Sequence, residues 1–213
     1  MLEKDIPDGN IFMMCGKVNK QAFKDVPKGF HIRNLKPEEL ETWMRFPFDT
    51  TENEAENLLF MKNFFNDVYG DKKELFFKSC MVVCDQSDKP ISTCFVWKAY
   101  DKFWTVHWFK TLKQFEGKGL GRAILTYVLK SVPENEFPVY LHTQPSSFRA
   151  IKLYSDFGFK ILTDKVVGTR KNDYKKSLKY LKYFMGDKFN SLKFVESDKI
   201  FSEGIKPFKI IEF

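Results

Sequence analysis

Three glycines within five positions, Gly117, Gly119 and Gly121, mark the segment of this sequence best suited to binding a ligand. They stand between a β-like run and an apolar run with helical periodicity. Glycine has no Cβ atom, so a ligand can approach the main chain closely, and N–H groups at a helix N-terminus bind anions such as a pyrophosphate. The G-x-G-x-G spacing differs from the dinucleotide and Walker patterns. A tight structural turn without any ligand would use the same glycines.

Histidine and cysteine are the other residue types that could do chemistry here. Neither type is clustered in the sequence, and no C-x-x-C pair or zinc-type spacing is present: His31, His107, His142, Cys15, Cys80, Cys84 and Cys94. We therefore expect no metal site. The cysteines are expected to be reduced thiols in the core of a protein that stays in a reducing compartment.

The formal charge of +7 would favour a polyanionic partner if it were spread over the chain. It is instead confined to one segment. Between Lys165 and Lys193 there are nine Lys and Arg and two Asp and Glu, whereas the rest of the chain has 26 of each. The basic character therefore belongs to this segment, which is either a solvated helix face or a site for an acidic acceptor or partner.

The elements that must position the glycines follow from hydrophobic periodicity and turn residues. Strands are predicted over residues 30–33, 80–84, 91–99, 103–111, 138–142 and 159–162, with a further strand over 208–213. Helices are predicted from residue 36 and over residues 53–69, 120–130, 147–156 and 174–188. This order predicts one mixed sheet with helices on its faces, of the α/β or α+β class.

Two motifs in this frame resemble those of the GNAT superfamily of N-acetyltransferases. The family's Gln/Arg-x-x-Gly-x-Gly/Ala loop is matched by residues 116–121, EGKGLG, and the following RAIL. Its Asn-x-x-Ala-x-x-Leu-Tyr-x-x-x-Gly-Phe motif is matched over residues 147–159 at Ala150, Leu153, Tyr154, Gly158 and Phe159. The resemblance covers residues 30–162 and implies a central mixed, mostly antiparallel sheet flanked by helices, followed by a basic C-terminal extension.

The resemblance implies that acetyl-CoA is a co-substrate and that no metal takes part. The residues implied to contact it belong to the loop, the strand before it and the second motif: Phe109, Thr111, Glu116, Gly117, Lys118, Gly119, Leu120, Gly121, Arg122 and Ser147. Glu116 departs from the family's Gln or Arg and should repel phosphates, which Lys118 and Arg122 offset. Ser147 stands where the family often has Asn and retains one hydrogen-bond donor.

The resemblance also implies direct attack of an amine on the thioester in a ternary complex. Tyr154 occupies the family's general-acid position, although it also lies on an apolar helix face and could be a core aromatic residue. His107 and His142 occupy the two positions from which family members take a general base, and an ordinary imidazole pKa of about 6.5 suits that role. Each could equally be a structural histidine.

The expected function is acetyl transfer to a primary amine of a small molecule or protein. One alternative is a GNAT-like domain that binds CoA without turnover, as a sensor or structural unit. Another is a nucleic-acid-binding module that uses the segment between Lys165 and Lys193, for which charge alone supports only non-specific association. We expect a cytoplasmic monomer or homodimer that does not contact membranes.

The expected domain organisation has three parts. Residues 1–29 form an N-terminal extension, residues 30–162 form the acetyltransferase core, and residues 163–213 form a C-terminal extension packed on that core.

Overall fold

The computed structural model describes residues 1–49, 53–208 and 212–213. The strands are β1 Ile11–Cys15, β2 His31–Asn34, β3 Met81–Cys84, β4 Pro90–Ala99, β5 Phe103–Thr111, β6 Val139–Thr143, β7 Lys160–Leu162, β8 Val166–Val167, β9 Arg170–Lys171 and β10 Phe194–Val195. The helices are α1 Leu40–Arg45, α2 Glu54–Tyr69, α3 Lys73–Ser79, α4 Leu120–Lys130, α5 Phe148–Asp156, α6 Tyr174–Met185 and α7 Lys199–Gly204.

Eight of these strands form one sheet in the order β10-β7-β1-β6-β5-β4-β3-β2. The pairs β5–β6 and β7–β10 are parallel, whereas the pairs joining β2 to β5 and those flanking β1 are antiparallel. The predicted mixed, mostly antiparallel sheet with helices on its faces is confirmed. Strands β8 and β9 form a separate two-stranded ladder.

The first 29 residues contribute a strand to the interior of this sheet. β1 lies between β6 and β7, pairing Ile11 with Thr143 and Met13 with Ile161. The apolar run 11–15 is almost entirely buried, as expected for a strand covered on both faces. The segment after residue 162 adds β10 beside β7 and packs α6 against α5.

The helices cover the two faces of the sheet differently. On one face, α4 packs a periodic apolar stripe, which includes Leu120 and Ile124, against β3, β4 and β5, and α5 adds Ile151 to the same core. On the other face, α1, α2 and α3 enclose an aromatic cluster around Trp43, Tyr69 and Phe76. These rings meet edge-to-face with centroids about 5 to 6.4 Å apart, the geometry that aromatic quadrupoles favour.

Several local predictions differ from the structure. The helix predicted from residue 36 begins as a 3₁₀ turn, Pro37–Glu39, before α1, and helix α3 was not predicted. The predicted helix 174–188 ends earlier, at Met185, because the main chain turns at Gly186 with φ +55°. Of the strand predicted over 208–213, residues 209–211 lie outside the described residues.

Strands β5 and β6 separate halfway along their length. Their paired positions are Thr105 with Tyr140 and Val106 with Leu141, although β5 continues to Thr111 and β6 to Thr143. The two parallel strands therefore diverge and leave an opening in the middle of the sheet. The second motif follows β6 and lines this opening, and the glycine loop follows β5 and packs at Gly121 against Phe109 beside it.

Candidate functional site

The opening between β5 and β6 leads into a cleft of about 710 Å³. One wall is formed by β5 from Val106 to Phe109, and the opposite wall is formed by the end of β6 and by α5, including Ser147 and Tyr154. Helix α2 contributes Phe60 and Phe64 to the rim. This is the size range of pockets that hold a drug-sized ligand.

A β-bulge in β5 faces this cleft. Because Thr93 pairs with Lys110 and Phe95 pairs with His107, Trp108 and Phe109 together oppose the single residue Cys94. Trp108 has φ +47°, a conformation that residues other than glycine rarely adopt. A bulge leaves one residue outside the regular ladder. Main-chain groups at this position can therefore bind a ligand instead of a neighbouring strand.

The strained Trp108 is held in place by its side chain. Its indole Nε1 donates a hydrogen bond to the Tyr69 hydroxyl at 3.1 Å. Its rings meet Phe64 and Trp43 edge-on, with centroids 5.0 and 5.9 Å apart. The aromatic cluster on the α2 side thus supports the bulge, which is how strained positions at functional sites persist.

The glycine loop forms a cradle of N–H groups at the start of α4. Gly117 and Gly119 have φ +78° and +81°, in the left-handed region that favours glycine. α4 begins at Leu120, so the N–H groups of Leu120, Gly121 and Arg122 have no intrahelical acceptor. A Cβ atom on Gly121 would lie 2.9 Å from Cζ of Phe109, so glycine allows α4 to pack this closely on β5.

The charged side chains around the loop are mostly engaged elsewhere. The Arg122 guanidinium donates to Asp156 of α5 at 2.6 Å, so its side chain turns away from the loop. Glu116 lies 3.5 Å from the Lys113 ammonium, which partly offsets its negative charge. The Lys118 ammonium lies 4.9 Å from the centre of the Phe115 ring. Anion binding at the loop therefore depends chiefly on the main-chain N–H groups.

Tyr154 lies on α5 and lines the cleft. Its ring packs between Phe109 and Phe159, with centroids 5.6 and 5.8 Å away. The hydroxyl forms no hydrogen bond with any side chain or main-chain group in the described part of the chain. Burial raises the pKa of Tyr154 well above its ordinary value, so the hydroxyl is protonated at neutral pH. A protonated hydroxyl at a cleft is the form that a proton donor needs.

His107 is buried in the α2 side of the cleft and has both ring nitrogens occupied. Its Nδ1 is 2.5 Å from the Tyr69 hydroxyl, and its Nε2 is 2.6 Å from Oγ1 of Thr105. Burial lowers the pKa of His107 to about 3. A neutral imidazole with two short hydrogen bonds is suited to fixing Tyr69 and the bulge rather than to collecting a proton.

His142 lies on β6 and also lines the cleft. Its Nε2 is 2.9 Å from Oδ1 of Asn10, and its ring centre is 5.1 Å from that of Phe12. The tautomer that donates from Nε2 to this oxygen leaves Nδ1 as a free acceptor. Burial, together with the nearby charge of Arg170, lowers the pKa of His142 to about 3. Of the two histidines, His142 keeps a nitrogen available.

The remaining predicted residues frame the cleft. Ser147 ends the 3₁₀ turn before α5 and forms part of the cleft wall. Phe109 lies in the wall of β5, whereas the Thr111 hydroxyl bonds to the hydroxyl of Ser92 at 2.8 Å. Thr111 therefore contributes to the end of β5 near the loop rather than to the cleft lining.

Several other residues of the cleft lining were not predicted, among them Arg170, Glu212 and Phe213 from the C-terminal segment. Glu212 accepts a hydrogen bond from the main-chain N–H of Tyr100 at 2.8 Å, and burial raises its pKa. These contacts join positions more than a hundred residues apart, so no local motif could have indicated them.

One group of possible metal ligands lies outside the cleft, in the described part of the chain. Side-chain donor atoms of His31, Cys84 and Asp88 lie within 4.8 Å of one another. The Asp88 carboxylate, however, accepts hydrogen bonds from Arg33 and Lys36 at 2.7 Å each. Because the Asp88 carboxylate already binds two cationic side chains, this group is a salt-bridge network and is poorly suited to binding a metal ion.

Comparison with protein families gives the class of this fold. A model of the acetyltransferase (GNAT) family matches residues 37–159, which is more than half of the chain. The chain belongs to the GNAT acetyltransferase family. The match runs from α1 through α5 and includes the glycine loop, the bulge and Tyr154. The family predicted from the two motifs is thus confirmed.

Solved structures are similar to this GNAT chain at the level of the fold. A protein of Pyrococcus horikoshii OT3 has a TM-score of 0.50 and 22% identity, over 62% of this chain and 88% of that one. A GNAT-family acetyltransferase of Staphylococcus aureus Mu50 has a TM-score of 0.49 and 15% identity, over 60% and 81%. A GCN5-related N-acetyltransferase of Sphaerobacter thermophilus has a TM-score of 0.45 and 16% identity, over 65% of this chain.

This chain spans 43% of the Sphaerobacter thermophilus protein. A sequence search among curated proteins finds no match. Within the described residues of the GNAT chain, no helix is long and apolar enough to cross a membrane.

Proposed function

We propose that this GNAT domain transfers the acetyl group of acetyl-CoA to a primary amine of a small molecule or protein. The observation that supports the proposal is that the β-bulge and Tyr154 line one cleft, while the N–H cradle begins a helix that packs at Gly121 against Phe109 of the cleft wall. Acyl transfer from a phosphate-bearing thioester needs a site that binds the phosphates, main-chain groups near the carbonyl and a proton donor. The N–H cradle, the strained strand and the protonated hydroxyl are suited to these three tasks. A cytoplasmic location is proposed on the four buried cysteines, which form no disulfide.

The cradle is suited to the pyrophosphate of CoA. Glycines in the left-handed region occur in turns whose N–H groups bind anions, and the start of α4 adds three N–H groups with a favourable helix dipole. The diverging end of β5, with Phe109 and Thr111, offers a free strand edge along which an extended pantetheine arm fits. Ser147 provides a hydroxyl on the opposite wall.

In the proposed reaction the amine nitrogen forms a bond to the acetyl carbon, and the bond between that carbon and sulfur breaks. Main-chain N–H groups at the bulge would stabilise the oxyanion that develops on the carbonyl. Tyr154 would donate its proton to the departing thiolate. The amine must itself lose a proton, for which His142 is the better placed histidine because Nδ1 has no partner among the described residues.

Binding and turnover are tested separately on the wild-type protein. Acetyl-CoA at a hundredfold excess over its dissociation constant should stabilise the fold by about 2.7 kcal/mol, a rise of several degrees in melting temperature. Incubation with acetyl-CoA and a panel of amines should then release free thiol. A rise in melting temperature without thiol release would indicate the non-catalytic CoA binder, and no rise at millimolar acetyl-CoA would contradict both CoA-dependent functions. RNA or DNA binding that survives moderate salt would favour the third alternative.

Replacing Gly119 by alanine tests the cradle. Alanine disfavours φ +81° by about 1 to 2 kcal/mol, so the loop should relax and misdirect its N–H groups. The KM for acetyl-CoA should rise about fivefold or more, while kcat changes little. Gly16→Ala is the matched control, because open space surrounds a Cβ there and its φ is not left-handed. Equal KM values in the two variants would remove the loop from the CoA site.

A further inference from the structure

Arg170 extends from β9 into the cleft, although it belongs to the basic segment. Its guanidinium lies 4.8 Å from the centre of the Phe12 ring and donates a hydrogen bond to the main-chain oxygen of Phe213. Among the described residues it forms no ion pair with an acidic side chain. Glu212, the acidic side chain among the described residues of the cleft wall, bonds to Tyr100 instead.

The position of the Arg170 guanidinium suits it to binding an anionic group of a ligand. Burial lowers the pKa of Arg170 to about 10, which still leaves the side chain positively charged at neutral pH. A partly buried cation with no acidic side-chain partner among the described residues is costly, and a carboxylate from a ligand lowers that cost. Guanidinium carries five donors in a planar fork that matches a carboxylate, and the contact with Phe213 leaves donors unused.

The rim of the cleft formed by α2 is aromatic. Phe60 and Phe64 of α2 line it together with Trp108. Phe60 is 54% exposed, although its ring lies 6.3 Å from that of Phe64 and 6.4 Å from that of Phe48. An exposed ring at the edge of a concave aromatic wall gains most by packing against an apolar group of a ligand.

We propose that the acceptor is a small amine that bears both a carboxylate and an aromatic group, as aromatic α-amino acids do. The carboxylate binds at Arg170, and the ring packs against Phe60 and Phe64. This inference rests on the proposed acetyl transfer and names the acceptor class of the same cleft. The cleft volume of about 710 Å³ has to hold the thioester end of acetyl-CoA as well, which favours a small acceptor over a folded protein.

Three amines test the two recognition elements separately: phenylalanine, 2-phenylethylamine, which lacks the carboxylate, and alanine, which lacks the ring. Thiol release from acetyl-CoA gives kcat/KM for each at one pH. We expect the value for phenylalanine to exceed each of the others by about tenfold or more, since a hydrogen-bonded charge pair and a packed ring each contribute at that scale.

Two pairs of variants locate the contacts. Arg170→Gln should raise the KM for phenylalanine at least about tenfold and leave that for 2-phenylethylamine unchanged, whereas Lys171→Gln should alter neither. Lys171 is the adjacent cation on β9, and its side chain is 65% exposed. Phe60→Ala should raise the KM for both ring-bearing amines severalfold. Leu59→Ala is its control, because Leu59 is 60% exposed on the same helix and does not line the cleft.

A binding measurement keeps this inference distinct from the transfer reaction. In the presence of CoA, phenylalanine should raise the melting temperature of the wild-type protein, and this rise should be lost in Arg170→Gln and kept in Lys171→Gln. Turnover of 2-phenylethylamine at least as efficient as that of phenylalanine would overturn the acceptor class while acetyl transfer stands. If no amine causes thiol release but phenylalanine still raises the melting temperature, the transfer reaction is overturned while the acceptor site stands. No phenylalanine-dependent rise in the wild-type protein would overturn the acceptor site.

Discussion

Replacing Tyr154 by phenylalanine should lower kcat about a hundredfold or more, because a positioned general acid contributes about 10² to 10⁴ to the rate. The KM for acetyl-CoA should stay within about twofold. The ring contacts with Phe109 and Phe159 are kept by phenylalanine, and the lost hydroxyl has no hydrogen-bond partner among the described residues. The melting temperature should therefore change little, and the fall in kcat would then reflect the missing proton donor and not a less stable fold.

Tyr127→Phe is the control for this variant, since Tyr127 lies on the neighbouring helix α4, is 51% exposed and does not line the cleft. Its kcat should equal that of the wild-type protein. The pH profile gives a second readout: because burial raises the pKa of Tyr154 well above its ordinary value, kcat should not decline between pH 7 and 9 through ionisation of this group. If Tyr154→Phe turns over at the wild-type rate, Tyr154 is a core aromatic residue and water supplies the proton.

Acidification should destabilise this fold strongly below pH 6.5, through His107 and His142. The pKa of each is lowered to about 3 in the fold, chiefly by burial, from an ordinary value of about 6.5. Above pH 6.5 both are neutral in the folded and the unfolded chain. As the pH falls, the unfolded chain takes up protons that the folded chain excludes until pH approaches 3. The free energy of unfolding should fall by about 2 to 3 kcal/mol per histidine between pH 6.5 and 4.5.

Urea denaturation at pH 7 and pH 4.5 measures this loss. His107→Gln, whose amide can still bond to Tyr69 and Thr105, should lose about 2 to 3 kcal/mol less than the wild-type protein over the same interval. The carboxylates present in both proteins cancel in this difference. Imidazole resonances of the folded wild-type protein give an independent test. If either histidine titrates near pH 6.5 while the protein remains folded, burial does not control its protonation.

The glycine loop, the second motif and most of the central elements were predictable, because their signals are local. Gly119 precedes a helix whose apolar residues recur at intervals of three and four, and this pattern alone indicates where α4 begins. The strands β4 and β5 are rich in β-branched and aromatic residues and flank turn residues. Such patterns reflect φ/ψ preferences and burial periodicity within one segment, which a single sequence displays directly.

The rest of the cleft depends on contacts between distant segments. The hydrogen bond with Asn10 determines which ring nitrogen of His142 remains available, and the contact with Tyr69 of α2 helps to bury His107. Arg170 was included in the basic segment, and no local pattern distinguishes a solvated cation from one that enters a cleft. The sequence likewise showed Ile11–Cys15 only as an apolar patch, since its place in the sheet depends on partners far along the chain.

The position of β1 inside the sheet also determines when its strand pairs can form during synthesis. Ile11 emerges from the ribosome early, but its partner Thr143 follows roughly 130 residues later, and Ile161, the partner of Met13, later still. Strands β2 to β5 can pair with one another in the meantime, whereas the first strand has both edges unpaired until β6 and β7 are made. A nascent chain halted before β6 would therefore expose an apolar strand, and chaperones should associate with it most before residues 139–162 have been made.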